Sequence, residues 1–120
     1  LVDLPGYGYA KRAKTRLEDW GDLMDKYFTT GRDIRLVLLL WDIRHDPSEL
    51  DMVMHDFLEQ TGLPFMIILT KADKLTKSEL LQVDSRFSRF SGQPRHIVSA
   101  NGMGIEELRE MIRKAVMKEE

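Results

Sequence analysis

Phe65-Met66-Ile67-Ile68-Leu69-Thr70-Lys71-Ala72-Asp73 is the stretch that decides how this chain folds. Its first five residues form a continuous apolar run with the length of a strand buried on both faces. Such strands belong to parallel sheets, and open α/β folds bind ligands at the carboxyl edge of those sheets. Thr70 to Asp73 are thereby delivered to a ligand-binding rim. An ionised Asp73 offers two acceptor oxygens to a planar partner carrying two N–H donors. The Watson–Crick edge of guanine has that pair, a ring N–H and an exocyclic amine. Lys71 can lay its aliphatic stem along a flat ring while its ammonium reaches a polar neighbour. Standing alone, Lys-x-Asp after a strand is equally the sequence of a solvated turn.

Two other stretches bear on it. Leu1-Val2-Asp3-Leu4-Pro5-Gly6 reads as a strand end followed by a loop, and Ile97-Val98-Ser99-Ala100-Asn101-Gly102 reads as another. The triple Asp-x-x-Gly, Thr-Lys-x-Asp, Ser-Ala resembles the motifs of translation-factor-like GTPases in order and spacing. The local wording goes further, in Asp3-Leu4-Pro5-Gly6-Tyr7-Gly8-Tyr9-Ala10, Asp42-Ile43-Arg44-His45 and Thr70-Lys71-Ala72-Asp73-Lys74-Leu75. It is similar to the EngB/YihA/YsxC family of ribosome-biogenesis GTP-binding proteins, TRAFAC-class P-loop GTPases, and the resemblance runs along essentially the whole chain.

Taken in order, the residues predict strand, loop and helix repeated four times. Leu1–Asp3 ends a strand, and Leu17, Trp20, Leu23, Met24, Tyr27 and Phe28 follow at helical spacing up to Gly31. Leu36–Trp41 is a six-residue apolar run suited to a central strand. Asp46-Pro47-Ser48-Glu49 starts a helix with a capping carboxylate, a proline at the first helical position and a glutamate at the third. Gly62 and Pro64 end it. Thr76-Lys77-Ser78-Glu79 is a capping box, and Leu80, Val83, Phe87 and Phe90 continue at helical spacing. Arg95–Ser99 is a short strand, and a last helix runs from about Ile105. The pattern means an α/β layered fold with parallel strands and right-handed crossovers. The resemblance makes it a three-layer P-loop NTPase fold, small-GTPase-like, with a mostly parallel sheet and helices on both faces.

The same resemblance assigns roles. Thr70, Lys71, Asp73, Ser99 and Ala100 bind guanine, with the Ala100 N–H at the carbonyl oxygen of the base and Ser99 bracing the loop around Asp73. Asp3, Pro5 and Gly6 form the γ-phosphate and switch II loop, and Asp3 holds Mg²⁺ through water. Tyr7 replaces the glutamine that orients the attacking water in Ras-like proteins, so no catalytic residue is assigned. Hydrolysis then depends on a group from a partner or on a monovalent cation. Lys11, Arg12, Lys14 and Arg16 form the one dense basic run, which is either a contact to ribosomal RNA phosphates or a solvated helix face. Asp42, Arg44 and His45 are read as strand-end polar groups with local hydrogen bonds, Arg44 also as a support for the nucleotide loops. His45, His55 and His96 show no metal-ligand spacing and receive no chemistry.

Bulk numbers set the limits. The 120 residues make one small domain, 42% hydrophobic and 32% charged, with net charge −2. That charge gives no bulk attraction to nucleic acid or anionic membrane. Without cysteine there is neither a disulfide nor a thiolate metal site. No apolar run approaches a membrane span. No Gly-x-x-x-x-Gly-Lys-[Ser/Thr] loop occurs. The chain also opens on Leu1 inside an apparent strand. It is therefore read as the C-terminal portion of a single GTP-binding domain, residues 1–120, whose first strand and phosphate loop are missing. A three-stranded sheet is expected from Leu36 onward. The implied parent is a monomeric, cytoplasmic GTP-binding switch in large-subunit ribosome maturation, with GTP or GDP and Mg²⁺ as ligands and a ribosomal subunit as partner. The alternatives are a GTPase of the same class acting on tRNA modification or septation, and a non-enzymatic fragment that does not hold GTP by itself.

Overall fold

Val37–Asp42 (β1) and Phe65–Thr70 (β2) are six-residue strands dominated by branched and aromatic side chains, and they pair in parallel from Val37↔Phe65 to Asp42↔Thr70. Arg95–Ile97 (β3) pairs in parallel with the other side of β2, from Ile67↔Arg95 to Leu69↔Ile97. The sheet order is β1-β2-β3. These are features of a computed structural model that describes Asp22, Lys26, residues 33–90, Gly92 and residues 95–117. The chain divides into two compact units, Leu1–Ile34 and Arg35–Glu120. Of the first unit, Asp22 and Lys26 are exposed helical residues. The expectations for Asp3, Pro5, Gly6, Tyr7, Lys11, Arg12, Lys14 and Arg16 lie outside the described residues. The strands from β1 onward bear out the expected three-stranded sheet.

The helices begin where side chains can satisfy free backbone N–H groups. Glu49–Thr61 (α1) is capped by Ser48, whose hydroxyl accepts from the Asp51 N–H while the Asp51 carboxylate accepts from the Ser48 N–H. The sequence pointed to Asp46 as the cap; the cap falls two residues later, where Ser48 and Asp51 complete the reciprocal pair. Gly62 ends α1 in the left-handed conformation, as read. Thr76 and Glu79 form the expected capping box of Lys77–Leu81 (α2). The single helix expected beyond it is divided into α2, Val83–Arg86 (α3) and a 3₁₀ turn at Ser88–Phe90. The first break lies where Gln82 donates to the third residue back, Glu79, and beyond Phe87 the 3₁₀ turn closes as Phe90 donates to Phe87. Ile105–Val116 (α4) is the last helix.

The core forms because strand side chains alternate between two covered faces. Leu39, Trp41, Ile67 and Leu69 share one face and are all buried. There the Trp41 ring meets His55 of α1 and Phe87 and Phe90 beyond α3, and Arg95 donates to the Phe87 carbonyl. One residue on, His96 turns to the opposite face, where its Nε2 lies 2.7 Å from the carbonyl of Gly104 at the start of α4. The other end of α4 returns to the beginning of β1, with the Arg35 guanidinium donating to the Val116 carbonyl at 2.5 Å. α4 thus runs back against the strand direction on one face, while α1 and the 83–90 segment cover the other. Ile67 and Ile68 of the central strand point to opposite faces and are both fully buried. Burial of that degree contributes roughly 1.5–3 kcal/mol per aliphatic side chain.

Candidate functional site

The loops after β1, β2 and β3 all leave the same edge of the sheet because the three strands are parallel. Backbone bonds then tie each loop to its neighbour. The Ile43 N–H donates to the Thr70 carbonyl at 3.0 Å, the Val98 N–H to the Leu69 carbonyl at 2.9 Å, and the Ala72 N–H to the Val98 carbonyl at 3.2 Å. Asp73 and Ser99 each stand one residue beyond that last bonded pair. The Thr70 hydroxyl donates to the Trp41 carbonyl at 3.2 Å, which joins the loop to β1.

Lys71 is the one described residue other than glycine with positive φ, at φ 64 and ψ 33. A side chain in this region costs about 1–2 kcal/mol. The chain reverses there into a 3₁₀ turn, Ala72–Lys74, that buries Ala72 and presents Asp73 to solvent. Among the described residues, the Asp73 carboxylate accepts no hydrogen bond and makes no ion pair within 4 Å, and the residue is exposed. Ala100 is exposed beside it, and its N–H likewise has no protein acceptor among the described residues.

Ser99 does something different from what was expected. Its hydroxyl bonds Asn101 Oδ1 within its own loop, and its N–H donates to the Met103 carbonyl. Bracing of the Asp73 loop falls instead to the Ala72–Val98 backbone bond. Asn101 also accepts from the Met103 N–H at 3.2 Å, so it organises the turn that carries Ala100. Asn101-Gly102 carries a turn signal in the sequence, but nothing there marks Asn101 as the residue that organises the loop.

Charge at the rim is arranged around Asp42. Arg44 grips its carboxylate in a fork, Nε to Oδ1 at 3.0 Å and Nη2 to Oδ2 at 2.7 Å, and adds its backbone N–H to Oδ1 at 3.0 Å. These are the local bonds the sequence suggested, and bidentate pairs are the strong form of such contacts. The Lys71 ammonium stands 3.5 Å from the same Oδ2. Hydrogen bonding from the Arg44 side chain, opposed by partial burial and reinforced by its N–H, its charge and that of Lys71, holds the Asp42 carboxyl well below the usual carboxylate range. The Asp42 bond, and more weakly the charge of Asp73, push Arg44 up. Two anions and two cations therefore share the rim, and Asp73 is the one without a bonded partner among the described residues.

His55 departs from the reading that gave the histidines no ligand spacing. It is buried in α1 with Nδ1 3.1 Å from both Asp56 Oδ1 and Glu59 Oε1, while Nε2 is enclosed without a partner. The ligand atoms of these three residues lie within 4.8 Å of one another. His55 also packs edge-on against Phe65 and Phe90, so its ring is part of the core as well. No helix among the described residues is long and apolar enough to cross a membrane.

No family model matches. A protein of Exiguobacterium sibiricum named probable GTP-binding protein EngB is 42% identical over 117 residues, 93% of this chain and 61% of that protein. One of the same name from Desulfitobacterium hafniense is 39% identical over 117 residues, 93% of this chain and 58% of its own length. A third, from Oceanobacillus iheyensis, is 50% identical over 79 residues, 66% of this chain and 40% of the relative. The chain thus spans about 60% of the first two relatives. Among solved structures, the crystal structure of a probable GTP-binding protein engB superposes with TM-score 0.71 at 20% identity, covering 95% of this chain and 74% of that one. At that identity the likeness shows the fold, an α/β arrangement with a parallel sheet.

Proposed function

Since the chain belongs to the EngB family along the 117 residues it shares with these relatives, we propose that it forms the base-binding side of a GTP-binding switch. The observation that carries this reading is the Ala72–Val98 backbone bond, which sets the Thr70–Asp73 turn beside the Ser99–Ala100 turn at the carboxyl rim. Asp73 receives the ring N–H and exocyclic amine of guanine, Ala100 donates its N–H to the base oxygen, and the Lys71 stem lies along the ring. Thr70 and Ser99 hold the two turns through their bonds to Trp41 and Asn101.

The phosphate side rests on sequence alone. Asp3, Pro5 and Gly6 are assigned to the γ-phosphate and Asp3 to Mg²⁺ through water, and Mg²⁺ would offset phosphate charge when bound. These residues lie outside the described ones. A Gly-x-x-x-x-Gly-Lys-[Ser/Thr] loop is not among these 120 residues, so the chain is assigned base recognition and not, by itself, hydrolysis. In the whole protein we assign GTP hydrolysis assisted by a partner group or a monovalent cation, acting as a monomer in the cytoplasm on a maturing large ribosomal subunit. Lys11, Arg12, Lys14 and Arg16 would contact RNA. On this reading, residues 1–120 belong to one GTP-binding domain.

Equilibrium titration distinguishes this from a base-indifferent turn. GDP is expected to shift the amide resonances of residues 70–74 and 99–102, while ADP at equal concentration should leave them in place. Equal shifts with both nucleotides would remove the guanine assignment.

A further inference from the structure

We propose that Asp42 is a positioning residue for the base site: clamped by Arg44, it sets where the Lys71 ammonium stands over the rim. The proposal rests on the guanine reading of the Thr70–Asp73 turn and adds a determinant from a different strand.

Three observations carry it. First, Asp42 and Thr70 are register partners on paired strands, so the carboxylate is fixed to the sheet at the level where the loop departs. Second, the Arg44 guanidinium supplies the close bonds, 2.7 Å to Oδ2 and 3.0 Å to Oδ1, and so fixes the carboxylate's orientation. Lys71 is left 3.5 Å from Oδ2, near enough for attraction and too far for a tight bond. Its ammonium is held in one region while its three donors stay free to turn toward a ligand. Third, the left-handed conformation of Lys71 costs free energy that a plain turn residue would avoid, and its side chain remains 56% exposed. An unanchored lysine would lose most of its rotamer freedom on meeting a ring. One already confined by Asp42 loses less, and that difference appears as affinity. Arg44 also balances the rim: with Asp42, Lys71 and Asp73 it makes a set of two anions and two cations, which leaves the Asp73 carboxylate free of a competing lysine.

The test is a double-mutant cycle on the full 120-residue chain, with GDP as probe and amide shifts or a fluorescent GDP analogue as readout. Asp42→Asn is expected to weaken GDP binding about three- to tenfold in the parent chain and to have no further effect in a Lys71→Met background. Asp42→Glu keeps the charge while displacing it by one methylene, and it should fall between parent and Asn. That variant also serves if the Asn form is poorly folded. Equal losses from Asp42→Asn in both backgrounds would show a merely structural role and overturn the proposal. So would undiminished GDP binding by Asp42→Asn. Absence of GDP binding by the parent chain would overturn the guanine reading and this proposal together, which separates that failure from the other two.

Discussion

Asp73→Asn is expected to exchange guanine for xanthine. The carboxylate offers two acceptors to the two N–H donors of guanine, whereas the amide presents one acceptor and one NH₂. Against guanine that NH₂ meets the exocyclic amine, donor to donor; against xanthine it meets a carbonyl and the match is restored. A hydrogen bond to a charged group is worth about 1.5–3 kcal/mol, so losing the one to the exocyclic amine corresponds to roughly ten- to a hundredfold in affinity, before the donor–donor contact adds to it. The check is competition between GDP and xanthosine diphosphate for the parent and the variant. Unchanged preference for GDP in the variant would mean that Asp73 does not face the base. The substitution should leave stability nearly untouched, because Asp73 is exposed and its carboxylate has no bonded partner among the described residues.

Gly104→Ala is expected to produce the largest loss of stability of any glycine-to-alanine change among the described glycines. Gly104 lies at φ 75, where a side chain costs about 1–2 kcal/mol. A Cβ there would also strike the Ile97 carbonyl oxygen and lie 3.1 Å from its carbon and 3.2 Å from His96 Nε2. The obstacle is strand backbone, which cannot swing aside as a flexible side chain would. Forced overpacking adds about 1–3 kcal/mol, giving roughly 2–5 kcal/mol in all. That is a large share of the 5–15 kcal/mol typical of small domains. Gly62 is the control, with nearly the same φ of 72 and nothing within 4 Å of its added Cβ. Gly62→Ala should cost about 1 kcal/mol. Denaturant midpoints at constant slope measure both, and equal losses would show that the close approach of Gly104 to β3 does not exist. The same change should also loosen the Ser99–Ala100 turn, because Met103, its neighbour, accepts the Ser99 N–H.

Much of this was legible in the residues themselves. The apolar run Phe65–Leu69 announces a strand whichever fold it joins, and its burial on both faces follows from the absence of polar alternation. Thr76 and Glu79 specify a helix start locally, so that assignment needed no tertiary information. The cap of α1 was misplaced because Asp46-Pro47 is itself a plausible start; the choice of Ser48 turns on the reciprocal bond with Asp51, a geometric fact. The division of residues 77–90 into three short pieces was hidden for a related reason. Leu80, Val83, Phe87 and Phe90 keep helical spacing through it, and periodicity does not register a tightened turn at Gln82.

The site was legible as three loops and not as a set of bonds. Parallel strands bring Thr70–Asp73 and Ser99–Ala100 to one edge, which the order of elements implies. The Ala72–Val98 bond, the Ser99–Asn101 bond and the Lys71–Asp42 pair depend on backbone dihedrals that the sequence leaves open. Lys71 is the clearest case, since a lysine in the left-handed region runs against its own preference. Gly104 is another: among four loop residues after Ala100, nothing in the sequence marks it as the one pressed against the Ile97 carbonyl.

The most direct test is the structure of this chain with GDP bound. The guanine ring N–H and exocyclic amine should lie about 2.7–3.2 Å from the two Asp73 oxygens, with the Ala100 N–H at the base oxygen and the Lys71 stem along the ring face. A base seated elsewhere, with Asp73 still open to solvent, would contradict the account.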